Sequence, residues 1–397
     1  MGWLMSVAAI WLLTCSVISA ATESQNREVV PAYRVDLRSV LQADALPQLG
    51  TRETPWVPII TLHFLDNQRL AATFVIPAKT APKLAERGQE DSASPFRVRT
   101  AVLDVSTRKV LATPEWPSSS RAAGIISADD RGFVIQTGGK LTRFSPGLAA
   151  VEQMNLPACA PDNGKASGDW SPNSSWTGRR VLLISGSFWS RSCWLWIDTE
   201  GLQVLASWQD VRSGAIAVSD DRLVLQPFSR QFGDPPLPLR IAMPGGDWNA
   251  IPSTLNASKP QFVGQNLLYF QVLLATKSAV SPGVYLMQTD NERASRLETP
   301  REGWALGRAA VSRTGARFLI PLTELKGSHP ALDISGHSVL RGLLVYDAPF
   351  HASPYTLIVR DSKVRNPSAV LSPDGRHLAI LGYPEPLLEI FELPPTN

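Results

Sequence analysis

Ser372-Pro373-Asp374-Gly375-Arg376-His377-Leu378-Ala379-Ile380 reads as the end of one strand, a tight turn and the start of the next strand. Asp and Gly at a turn tip tolerate the backbone angles that a tight hairpin needs. The apolar residues that follow suit a buried strand. Six degraded copies precede it: Phe64 to Leu70, Ser127 to Phe133, Ser171-Pro172-Asn173 running to Val181, Ser219 to Leu223, Val263 to Leu267 and Ser312 to Phe318. The intervals are roughly 45 to 65 residues, in and above the span of propeller repeats.

A second hairpin follows most of these. Val102-Leu103-Asp104-Val105-Ser106-Thr107-Arg108-Lys109-Val110-Leu111 is the clearest, and the stretch from Trp196 to Leu205 matches it. The runs at Leu286–Asn291 and Val345–Pro349 are weaker versions. Two hairpins per repeat make four strands. Seven such repeats predict an all-β, seven-bladed β-propeller. After Ser372 only three strands can be found, the last near Leu388–Leu393. Tyr33-Arg34-Val35-Asp36-Leu37 is an unpaired strand near the start and is expected to join the last blade. Closure of this kind removes free sheet edges from the ring.

The Ser-Pro-Asp-Gly hairpins resemble the WD40-like and TolB-like propeller repeats of secreted bacterial proteins, over about residues 33–396. The Gly-His and Trp-Asp signatures of true WD40 repeats are missing, as is the Tyr-Val-Thr-Asn hallmark of lactonase-like propellers. The resemblance therefore implies architecture and carries no family function with it.

Composition agrees. The 397 residues include 32 prolines, 27 glycines and 12 tryptophans, with no long stretch of helical period. A net charge of +3 and the lack of a Lys/Arg run point away from a nucleic-acid binder. Residues 1–20 contain an apolar run from Trp3 to Ala20 ending in Ile18-Ser19-Ala20, which reads as an export signal. Two other readings stay open: a retained membrane anchor, the one way this chain would meet a membrane, and lipidation at Cys15, for which Leu12-Leu13-Thr14-Cys15 is a poor match. Residues 21–32 read as a polar, flexible segment, and 33–397 as one domain.

Signal removal leaves Cys159 and Cys193, an even count that suggests a disulfide in an exported chain. Such a bridge contributes about 3–4 kcal/mol in the chain-entropy view. Trp170, Trp176, Trp189, Trp194, Trp196 and Trp208 cluster in blade three. Trp194 and Trp196 alternate and share a strand face. They read as packing between blades, or else as an aromatic platform. Trp189, between Ser187 and Arg191, is the candidate for an exposed binding ring.

No sequence pattern here commits to chemistry. His329, Asp333 and His337, or Asp162, Asn163 and Asp169, carry metal-ligand atoms, but at loop-like spacing. Asp129-Asp130 and Asp220-Asp221 fall at hairpin tips, where turn geometry accounts for them. No nucleophile elbow or phosphate loop is present. No cofactor, metal or catalytic residue is therefore expected. The long insertions all emerge on one face of the predicted ring, and binding residues concentrate on such loops. The expected function is that of an exported, periplasmic or secreted, monomeric scaffold. It would bind a protein or envelope glycan through that loop-rich face. The alternative is a hydrolase or lyase with its site at the channel mouth.

Overall fold

The computed structural model describes residues 27–40, 61–77, 96–120, 123–157, 170–185, 192–209, 211, 213–227, 237–272, 283–297, 303–326, 337–348, 354–382 and 386–396. They form seven sheets in chain order, one per predicted repeat, each antiparallel from its first strand to its fourth. Each blade has its first strand innermost. The inner strands are Thr61–Phe64, Ala123–Asp129, Trp170–Ser174, Ser213–Val218, Ala257–Phe262, the broken pair Trp304–Leu306 and Ala310–Val311, and Ser368–Leu371.

The middle strands of each blade are buried on both faces, so their apolar residues run on without alternation, and successive side chains serve opposite neighbours. In the strand Cys193–Asp198, Leu195 and Ile197 pack toward blade two with Ile126 and Val134. Trp194 and Trp196 pack the other way, toward blade four, with Val218, Leu223 and Leu225. In Leu267–Val272, Leu268 and Phe270 face blade four while Tyr269 faces blade six. Each neighbouring pair of blades shares such an apolar cluster, including blades six and seven and blades one and two. Leu62, Phe64 and Leu103 of blade one meet Ala379, Leu388 and Ile390 of blade seven, so the ring is closed.

The closing strand is the one expected. Tyr33–Asp36 pairs antiparallel with Leu387–Glu392, with Tyr33 opposite Ile390 and Asp36 opposite Leu387. A second stitch was not foreseen. Arg27–Val29, inside the segment expected to be flexible, adds a fifth strand to blade six, parallel to Tyr355–Val359. Ion pairs fix both stitches: Arg360 to Glu28, and Arg34 Nε to Glu389 Oε1 at 2.9 Å. Glu389 is fully buried and also accepts hydrogen bonds from Ser362 Oγ and Lys363 N. The N-terminal chain thus ties together the outer edges of the last two blades.

One turn differs from the sequence reading. In blade three, Ser171-Pro172-Asn173 lies within the inner strand, paired to Ile184, Leu183 and Leu182. The tip is Ser175-Trp176-Thr177-Gly178, where Gly178 N donates to Ser175 O. The same bond joins Gly315 to Ser312 and Gly375 to Ser372. All three glycines have φ between 71° and 77°, a region open to glycine at no steric cost. In each turn the serine hydroxyl also accepts the backbone N–H five residues on: Arg180, Arg317 and His377. The repeat is therefore Ser-x-(Asp/Thr)-Gly, and in blade three Pro172-Asn173 only mimics the Pro-Asp of the template.

Candidate functional site

The seven inner strands enclose an axial channel of about 510 Å³. At the hairpin-turn end, the tips of blades two to six form a cup of about 550 Å³. Among the described residues, only Trp176 and Arg313 line both spaces. Each occupies the position after serine in its Ser-x-Thr-Gly tip, and each crosses the axis.

Arg313 of blade six reaches blades one and two. Its guanidinium donates to Phe64 O at 2.5 Å and Leu65 O at 3.4 Å, and pairs with Asp130 Oδ1 at 3.1 Å. Trp176 of blade three reaches the tip of blade six, where a Cβ built on Gly315 would sit 3.2 Å from its Cη2. These two side chains are the partition between cup and channel. A glycine at 315 serves both the turn and this close approach.

Among the described residues, the cup's carboxylates are all engaged. Asp129 is paired with the buried Arg143 at 2.9 Å and accepts from Arg131 N. Arg143 also donates to Thr199 O of blade three. Asp130 holds Arg313, Glu200 pairs with Arg131, and Asp220 accepts the Thr177 hydroxyl. Turn geometry and ion pairing thus account for both Asp-Asp dipeptides. Nearby, Arg222 joins Asp221 to Asp290 of blade five. Its carboxylate partner holds its pKa above the arginine norm. The Asp221 carboxyl stays below the usual range because Arg222 and Ser219 bonding outweighs burial.

The channel wall is mostly apolar and hydroxylic. His63 faces it from blade one. Burial pushes its pKa down to about 4, and the charge of Arg313 acts in the same direction, against a hydrogen bond with the Ile125 backbone. The imidazole is therefore neutral near pH 7 and too weak a base to abstract a proton efficiently there. Arg308 also lines the channel.

The residues singled out from sequence fall as follows. Trp194 and Trp196 are 1% and 0% exposed; Trp194 meets Trp248 edge-to-face and Trp196 stacks on Trp208 between blades three and four, so they are packing and not a platform. Cys193 opens its strand, half-buried against the blade two–three cluster. Cys159, Trp189, His329, Asp333, Asp162, Asn163 and Asp169 lie outside the described residues, as does the His337 side chain. So do the long insertions on which a loop-face site was expected, among them 78–95, 186–191 and 327–336. Among the described residues, no group of three His, Cys, Asp or Glu converges as a metal-ligand set. Arg308 and Arg313 had no signal of their own in the sequence, and Trp176 was visible only as one of the tryptophans clustered in blade three.

No family profile and no curated protein matches the chain by sequence. Solved structures match its fold. The propeller domain of the trilobed protease from Pyrococcus furiosus superposes with a TM-score of 0.51 at 10% identity, over 85% of this chain and 94% of that one. A Pyrococcus horikoshii acylaminoacyl peptidase gives 0.53 at 11% identity, over 86% of this chain and 52% of that one. The chain thus spans about half the length of that peptidase. At such identity the likeness is one of fold alone. The Pyrococcus furiosus domain is described as having an open velcro topology, whereas here Tyr33–Asp36 completes the last blade.

Proposed function

We propose that this protein is a non-catalytic propeller scaffold that binds a protein partner at one end of its ring. The observation that carries the reading is the state of the groups on the axis. Every carboxylate of the cup among the described residues is engaged by a turn, a hydroxyl or an arginine, and the channel histidine His63 is held neutral by burial. A hydrolase or lyase at the channel mouth needs a free acid or base where these groups are committed. The rigid tips and their mixed charge suit recognition of a protein surface.

Two ends of the ring are available to a partner. The cup offers the exposed Arg179 beside Arg131 and Glu200, and the sequence offers Trp189 as a second candidate. The apolar leader at residues 1–20 supports export to the periplasm or beyond. In that compartment a Cys159–Cys193 disulfide follows from the cysteine count. The Ser-x-(Asp/Thr)-Gly turns support kinship with WD40-like bacterial propellers.

Affinity capture of the full chain from its producing cells tests this reading, with Arg179→Glu and Trp189→Ala as comparison variants. A stoichiometric protein partner lost with one variant supports the scaffold. Turnover of a peptide, ester or glycoside substrate with no captured partner contradicts it.

A further inference from the structure

Blade six brings a second arginine to the axis. Arg308 lies between the two halves of the broken inner strand, Trp304–Leu306 and Ala310–Val311, and lines the channel. Its side chain is accessible to water, yet surrounding protein strips away enough solvent to pull its pKa below the arginine norm. Arg313 spends its guanidinium on Asp130 and two backbone carbonyls. Among the described residues, none hydrogen-bonds to or ion-pairs with the Arg308 side chain. Among the described residues that line the channel, none is Asp or Glu.

We propose that the axial channel is a binding site for an oxyanion, a carboxylate or phosphate group on a small ligand, with Arg308 as its charge partner. A guanidinium presents a planar fork of donors that matches these groups. A partly desolvated cation without a counter-charge gains from an anion more than a surface arginine does. The same wall supplies neutral polar groups from three other blades: Thr61, Asn173, Ser174 and Ser368. The channel volume, about 510 Å³, falls in the range of small-molecule sites. The Trp176–Arg313 partition separates this space from the acidic and basic groups of the cup. The site is thus distinct from a partner surface on the hairpin turns, and it stands whether or not the scaffold reading holds.

The test is calorimetric titration of the full chain with inorganic phosphate and, separately, with succinate, at ionic strength matched with sodium chloride. Arg308→Gln, Arg308→Lys and the cup variant Arg179→Gln are titrated in parallel. One-to-one binding of at least one anion is expected. Arg308→Gln should weaken it by at least about tenfold, as loss of a charged hydrogen bond does, Arg308→Lys by less, and Arg179→Gln not at all. Unliganded Arg308→Gln should melt at or above the wild-type temperature, because it removes a cation that none of the described residues balances. Three results would overturn the proposal: no binding of either anion, equal binding by wild type and Arg308→Gln, or a variant that unfolds without ligand, since that would show a structural partner for Arg308.

Discussion

Arg308 and Arg317 belong to the same blade and could hardly be used more differently. Arg317 is fully buried and saturated: it pairs with Asp347 at 2.5 Å and donates to Gly375 O, Pro394 O and Tyr355 Oη. It ties blade six to blade seven. Arg308 lines the axial channel with no partner among the described residues. The contrast separates the wall of the ring from its centre. In the wall, every buried charge is matched because an unmatched one would unfold the ring. At the centre, water or a ligand can do the matching, so a bare charge persists.

The sharpest way to break this contrast is to truncate Arg317. Arg317→Ala leaves Asp347 unpaired in a buried site and should cost about 3–5 kcal/mol in urea denaturation. If it cost no more than Arg308→Gln, the division between wall and centre would be false. Trp196→Ala probes the apolar part of the same wall. Trp196 is 0% exposed between blades three and four, and its loss should cost ~3–5 kcal/mol through the cavity left behind. A cost under about 1 kcal/mol would argue for a functional ring platform.

His63 gives the pH arm. Its folded pKa of about 4 lies below the ordinary 6.5, so the unfolded chain takes up a proton first as pH falls. Its contribution is intact above pH 6.5 and is lost progressively between there and about pH 4, by at most roughly 3 kcal/mol. His63→Gln should flatten the stability profile in that window and leave the steeper loss below pH 4, where the lowered carboxyls of Asp66 and Asp221 protonate. An unchanged profile would show that His63 is already solvated. The smallest effect is expected at the partition. Asp130 is 80% exposed, so Asp130→Asn should change stability by less than about 1 kcal/mol.

The same contrast explains what could be read from the sequence. The wall is built from local chemistry. Turns such as Ser372 to His377 and strands such as Leu378–Leu381 declare themselves within a few residues, and so the blade count, the strand order and the Tyr33–Asp36 closure were legible. Blade three shows the limit: Pro172-Asn173 mimicked a turn, while strand pairing to Leu182 and Leu183 and the glycine φ requirement put the tip at Gly178. The parallel strand Arg27–Val29 was hidden because three residues carry no periodicity. The axis was not legible at all. Arg313 meets Asp130 and Phe64 across most of the ring, and no spacing in the chain encodes that meeting.

The most direct measurement is a urea denaturation of wild type and Arg308→Gln, each with and without inorganic phosphate at matched ionic strength. The account predicts that the variant is at least as stable as wild type without phosphate and that only the wild type gains from the anion. A variant that is destabilised without phosphate, or one that gains as much as the wild type, would contradict it: the axis would then hold an ordinary structural arginine or none of consequence.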